Sequence, residues 1–282
     1  MILQMSDFNN SKFGRFGNQL FKYFFLKIAA QELGCELRHP DWLGRLVFDT
    51  PMTPAVELQP DAEMVIQPPL DHTMEIEDAL QFIRDKKASG TRALEVKGYF
   101  QFHSSMFEKY RALFFKTFQI SSSITAQLDL ALNQFNVDQR NVICVHIRRG
   151  DYLKYGDHHF FWSPSVEEIL TSIKSMPQTN WPGAMVYVCS DDLAHCKEVF
   201  DRSGVPYFTH ENLFVDTDPT HQLTIDFAML CTAGANVISN SSFSFFASMV
   251  NQNAKSFFRP SAQDHSLVPF KPWNSPVLLS KD

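Results

Sequence analysis

The feature that most constrains this chain is the run Val142-Ile143-Cys144-Val145-His146-Ile147, which breaks directly into Arg148-Arg149-Gly150-Asp151-Tyr152. β-Branched and apolar residues at that density form a short buried strand. A strand apolar on both faces needs cover on both, as in a parallel sheet. In open α/β sheets, ligands bind just beyond the carboxyl ends of such strands. Arg148 and Arg149 fall at that end. Guanidinium forks match phosphate oxygens in planar, bidentate geometry. The segment thus delivers two fixed cations to a crevice, with Asp151 placed to orient one of them. The same residues also suit an ordinary surface ion pair after a strand.

The rest of the second half repeats the strand-and-helix pattern. Pro164 to Met176 reads as a helix with Ser163 as N-cap and Pro164 at its first position. Met185–Cys189 reads as a strand running through Ser190-Asp191-Asp192 into a helix closed by Gly204, and Val205 to Phe208 as a short strand. Asp218-Pro219 opens a helix carrying Leu223, Phe227 and Leu230. Asn236–Ser239 enters Asn240-Ser241-Ser242-Phe243-Ser244 and another helix, and Ser256 to Arg259 is the last strand, stopping at Pro260. Such alternation predicts a parallel, doubly wound sheet.

The first half is less regular. Met1 to Met5 is a strand, followed by a polar loop from Ser6 to Lys12 and by Phe13-Gly14-Arg15-Phe16-Gly17-Asn18-Gln19. Phe21, Phe24, Phe25, Ile28, Ala29 and Leu33 then recur at helical spacing, with Gly34 placed to end the helix. Strand, glycine-containing loop and helix start together make an anion-binding geometry, and equally a plain turn that caps a helix. Pro40 to Pro69 reads as loops forming a wall of an acceptor pocket. Glu75 to Lys87 is an amphipathic helix, Leu94 to Tyr99 a strand, and Ser121 to Phe135 a helix. The polar stretch Asn136 to Asn141 marks a boundary between domains 1–138 and 139–282.

Composition narrows the class. A net charge of −6 argues against nucleic acid, which needs a basic face, but leaves room for one anionic ligand held by a few arginines. No apolar run reaches membrane length, because Lys22 and Lys27 interrupt the best candidate, and no signal peptide is evident. Cys144, Cys189 and Cys231 fall inside apolar segments and read as reduced, buried thiols. The expected setting is cytoplasmic, at most peripheral to a membrane.

Three polar clusters, His146 to Asp151, Ser190 to Asp192 and Asn240 to Ser244, each follow a buried strand and so converge on one crevice. Arginines there neutralise a diphosphate, and serine hydroxyls with helix-start amides bind its oxygens. A carboxylate such as Asp226 accepts from two adjacent donors on a guanine edge. Taken singly, Ser190-Asp191-Asp192 and Ser241-Ser242 are also plain helix N-caps.

His146-Ile147-Arg148-Arg149-Gly150-Asp151-Tyr152, with Gly14 to Phe21, Ser190-Asp191-Asp192 and Asn240 to Phe246, resembles the α-1,2-fucosyltransferases of glycosyltransferase family 11. The His-x-Arg-Arg-x-Asp-Tyr element is shared across the wider clan of α-1,2-, α-1,6- and protein O-fucosyltransferases. The resemblance implies a GT-B fold of two Rossmann-like domains facing across a cleft, an acceptor-side domain first and a GDP-fucose-binding domain second. It implies an inverting, metal-independent transfer of L-fucose to a glycan acceptor. Arg148 then binds the β-phosphate and, with Asp151 and Asn18, forms the catalytic set. His146 and Asp226 contact guanine. Ser241 and Ser242 hold phosphate oxygens, and Asn18 and Arg15 reach the fucose or diphosphate. Gly17, Arg149, Ser190, Asp191, Asn240 and Phe243 complete the expected donor site.

Two departures stand out. Most family members have Gly-Gly-Leu-Gly-Asn-Gln where this chain has Gly14-Arg15-Phe16-Gly17-Asn18-Gln19, and two tryptophans where Phe245 and Phe246 stand. The departures bear on the acceptor and on the linkage. Candidates for a catalytic base are Asp151, Asp7, His158 and His159. Competing readings are a non-catalytic nucleotide-sugar or glycan-binding protein, a transferase of another linkage or another nucleotide sugar, and an Arg149-Gly150-Asp151 adhesion tripeptide.

Overall fold

The computed structural model describes residues 1–6, 15–49, 58–66, 75–155, 160–175, 183–215, 218–261, 263 and 266–280. Asp7, Gly14, His158 and His159 lie outside the described residues. By its contacts the chain divides into two units. One comprises Met1–Ser121 and Trp273–Val277, the other Ser122–Pro272 and Leu278–Asp282.

The first unit contains β1 (Ile2–Gln4), α1 (Phe16–Leu33), β2 (Glu36–Arg38), α2 (Gly44–Val47), β3 (Glu63–Ile66), α3 (Ile76–Ala88), β4 (Ala93–Lys97) and α4 (Arg111–Thr117). Its strands pair in parallel in the order β2-β1-β4-β3, with Leu3 of β1 opposite Leu37 and Leu94. Helix α1 is buried on nearly every side, which is why its sequence is apolar all round rather than striped. Gly34 ends it in the left-handed conformation at φ 57°. Much of the core is phenylalanine. Phe24 lies 5.0–5.7 Å from Phe107, Phe114 and Phe118, and Phe25 stacks on Phe100 at 4.3 Å. Trp273 joins this cluster at 4.9 Å from Phe114, and Ser275 exchanges hydrogen bonds with Ser104, so this late stretch packs with the first unit. The region read as loops between Pro40 and Pro69 holds α2 and β3 where it is described.

The second unit contains α5 (Ser122–Gln134), β5 (Val142–Ile147), α6 (Val166–Ser175), β6 (Met185–Ser190), α7 (Leu193–Ser203), β7 (Tyr207–Phe208), α8 (His210–Leu213), α9 (Pro219–Thr232), β8 (Ala235–Val237), α10 (Ser242–Val250), β9 (Ser256–Ser261) and β10 (Ser266–Pro269). The sheet order is β10-β9-β8-β5-β6-β7, parallel except for β10 against β9. Central β5 is buried along its whole length. On one face Ile143, Val145, Ile147, Val186 and Val188 pack with α6 and α7 through Ile169, Leu170, Val199 and Phe200. Cys144, His146, Tyr187 and Cys189 alternate onto the other face.

Two boundaries differ from expectation. Helix α5 packs on α9 and so belongs to the second unit, moving the division from 138/139 to 121/122. Asn136 to Asn141 looked like a linker only because a 3-10 turn, with Asp138 accepting from the Arg140 amide, needs polar residues. Helix α6 is capped by Ser165, not Ser163. Ser165 Oγ accepts from Glu168 N–H at 3.1 Å, and Glu168 Oε2 accepts from Ser165 N–H at 2.7 Å. This reciprocal box needs an acid three residues on, which Ser163 lacks. Among the described residues no helix is long and apolar enough to cross a membrane.

Candidate functional site

Strands β5 and β6 run in register to their ends, with Ile147 opposite Ser190, and β8 pairs Val237 with Val145. The residues just beyond, Arg148, Asp191 and Ser239, therefore emerge side by side. Arg148 is held between two carboxylates: Nη2 lies 2.6 Å from Asp151 Oδ1 and Nη1 2.7 Å from Asp191 Oδ2. Its guanidinium carbon sits 5.6 Å from the centre of the Tyr152 ring, and its side chain is 15% exposed. Arg149 diverges from it, with Nε donating to Asp192 Oδ2 at 3.0 Å. The two arginines thus share an address but not a partner.

Asp191 does the most to hold this corner. Besides Arg148, its Oδ1 accepts from the Arg149 and Gly150 amides at 2.8 and 3.1 Å. Burial raises its carboxyl; the two amide donors and the Arg148 cation outweigh that and hold it below the usual range. Gly150 is needed for this approach, because a Cβ there would stand 2.7 Å from Asp191 Oδ2. Ser190 Oγ donates to Ile147 O at 2.7 Å and accepts from the Asp192 amide at 3.0 Å, closing the turn after β6.

On the β8 side, Ser239 Oγ donates to His146 O at 2.7 Å and accepts from Arg148 N–H at 2.8 Å. Asn240 was expected to bind donor; the structure engages its carboxamide with the main chain of Leu279 and Phe160. Ser241 is the N-cap residue of α10 and Ser242 its first residue, where first-turn amides point out of the helix. Phe245 and Phe246 are both fully buried.

His146 Nδ1 meets Ser244 Oγ at 2.8 Å, and its ring lies 5.3 Å from Phe243. Burial first, and the Arg148 cation second, push its pKa down to about 3, so the imidazole is neutral. One rung deeper on that face, Tyr187 donates to Asp226 Oδ1 at 2.5 Å. Burial pushes the Asp226 carboxyl up to about 7, against the hydrogen bonds from Tyr187 and Gln222.

Arg15, Gly17 and Asn18 lie in the first unit, at the start of α1. Arg15 is the N-cap residue, and its carbonyl accepts from the Asn18 and Gln19 amides at 2.9 and 3.2 Å. Asn18 Oδ1 accepts from Gln101 Nε2 at 2.6 Å. The helix starts at Phe16 rather than after Gln19, which puts Gly17 and Asn18 in its first turn. Sequence reasoning missed Ser239, Tyr187, Gln101 and Leu279. Alternation along β6, which puts Tyr187 on the same face as Cys189, is the signal that could have found it; nothing local marked Leu279.

The model of the family described as Glycosyl transferase family 11 matches residues 80–265. No curated protein sequence matches the chain. Among solved structures, POFUT1 in complex with GDP-fucose is 14% identical with a TM-score of 0.60, covering 92% of this chain and 97% of that one. NodZ α-1,6-fucosyltransferase co-crystallized with GDP is 15% identical with a TM-score of 0.57, covering 98% of each chain. The fold is the GT-B class of these proteins, built from two Rossmann-like domains.

Proposed function

This chain belongs to glycosyl transferase family 11, and from that membership we propose that it is an inverting fucosyltransferase, moving L-fucose from GDP-fucose to a glycan hydroxyl, with the 2-hydroxyl of a galactoside as acceptor. The observation that carries the reading is the Arg148 guanidinium, fixed by Asp151 and Asp191 at the end of central β5. The GDP-fucose and GDP bound by the structurally similar POFUT1 and NodZ support the donor.

As the acceptor hydroxyl attacks the anomeric carbon and releases its proton to solvent, the bond to the β-phosphate oxygen breaks. Negative charge develops on the departing GDP and positive character on the sugar ring. A cation already oriented at the leaving oxygen needs no reorganisation at that moment, so it stabilises the transition state more than any other group at this corner. Asp151 and Asp191 act through Arg148, restraining a side chain that otherwise loses much rotamer freedom on binding. Neutral His146, packed on Phe243, and the Asp226 carboxyl offer a base-recognition edge on the same sheet face. The Ser241–Ser242 helix start offers amides to phosphate. A divalent ion has no assigned task in this scheme.

A second reading, a fucosyltransferase of different linkage, is favoured by Arg15 and Phe16 in the first-unit motif. The test is Arg148→Ala assayed with GDP-fucose and a glycan panel, EDTA present throughout. Wild type is expected to turn over fully in chelator, and the folded variant to lose about 100- to 1000-fold. More than about a tenth of wild-type turnover in the variant would remove the assigned role.

A further inference from the structure

Asn240 is fully buried between the serine that pins Arg148 and the start of α10. Its Nδ2 donates to Leu279 O at 2.8 Å and to Phe160 O at 3.0 Å, and its Oδ1 accepts from Leu279 N–H at 2.8 Å. A side-chain amide that donates to and accepts from one residue's peptide groups imitates a rung of a β-ladder. Trp162 Nε1 adds a second donor to Leu279 O at 3.1 Å, and Tyr152 OH donates to Asn240 O at 2.6 Å. A buried carboxamide needs its donors and acceptor met, and the partners of this one come from chain positions 39 and 80 residues away.

The next residue back gives this arrangement its reach. The β5–β8 ladder has its last pair at Val145 and Val237. Beyond it, Ser239 Oγ spans the gap by bonding both His146 O and Arg148 N–H. Whatever holds the 239–241 loop therefore sets the main chain on which Arg148 is mounted.

We propose that the segment at Leu279 is a brace of the donor site, with Asn240 a positioning residue that transmits its docking through Ser239 to Arg148. The inference rests on the donor reading given above. It makes docking of this segment and GDP binding mutually supportive, and such coupling is reciprocal.

The test is Leu279→Pro, which removes the N–H that Asn240 accepts, compared with Leu279→Ala, which keeps both peptide groups. In Leu279→Pro, with native circular dichroism, the GDP Kd and donor KM are expected to rise about tenfold while the acceptor KM holds. Leu279→Ala is expected to stay within about threefold of wild type. Unchanged GDP affinity in Leu279→Pro, or lost kcat with unchanged donor KM, overturns the proposal. Hydrogen exchange on wild type decides the matter should the proline variant not fold. Saturating GDP is expected to slow exchange of the amides at 278–280 about tenfold, and unchanged exchange overturns the brace. Failure of wild type to bind GDP at all would instead refute the donor reading.

Discussion

The buried Tyr187–Asp226 pair sets the most quantitative expectation. Asp226 is 7% exposed, and burial raises its carboxyl to about 7, whereas in the unfolded chain it titrates near about 3.9. A folded pKa above the unfolded one means that the native state holds the proton more tightly. Its stabilising contribution is complete below about pH 4 and is lost as pH rises through about 7. Asp226→Asn removes that loss and keeps an acceptor for the Tyr187 hydroxyl. At about 1.4 kcal/mol per pKa unit, wild type loses roughly 2–3 kcal/mol between about pH 5 and about pH 8 on this account, and the variant none. His146 runs the other way. Its folded pKa of about 3 lies below the unfolded value near about 6.5, so its contribution is lost as pH falls from about 6.5 toward about 3. His146 is common to both proteins and cancels in their difference. Urea unfolding of the nucleotide-free proteins at several pH values is the assay. The stability of Asp226→Asn relative to wild type is expected to climb by roughly 2–3 kcal/mol over that range. A difference that stays flat refutes the argument, because it means that the native carboxyl is not held protonated.

The same titration reaches ligand binding. Guanine presents adjacent N–H donors, which favour the ionised Asp226, so GDP affinity is expected to rise about tenfold from about pH 6 to about pH 8 by calorimetry; a level profile would separate Asp226 from the base. Gly150→Ala places a Cβ 2.7 Å from Asp191 Oδ2 and so displaces the carboxylate that fixes Arg148. Turnover is expected to fall about tenfold in steady-state assays with the melting temperature little changed, and full turnover would show that Arg148 does not depend on this brace.

How much of this was legible follows from what each element needs. Strand β5 was readable residue for residue, because burial on both faces leaves an unbroken apolar run. Cys144 and Cys189 were placed correctly for the same reason, Cys231 because the second half of α9 is buried all round, and all three are buried and free. The start of α1 was set too late, since Gly17 and Asn18 favour turns locally. Tertiary packing decides otherwise: Phe16 is buried, 6.1 Å from Trp42, and carries the helix back to itself. The engagement of Asn240 by Leu279 had no local signature, because its two halves lie 39 residues apart.

The arginine pair shows where such reading stops. Adjacent arginines after a strand were expected to grip one pyrophosphate together, and nothing local to Arg148-Arg149 or to Asp191-Asp192 distinguishes one member from the other. The distinction is made by register. Ile147 stands opposite Ser190, so one step on Arg148 meets Asp191, and one step further Arg149 meets Asp192. Asp151, three residues along the same turn, also closes on Arg148. Parallel pairing of two distant strands thus gives Arg148 to Asp191 and Arg149 to Asp192, while the local turn adds Asp151 to the cation of the proposed transfer. Register is a property of the sheet, and it gives two adjacent arginines different carboxylate partners.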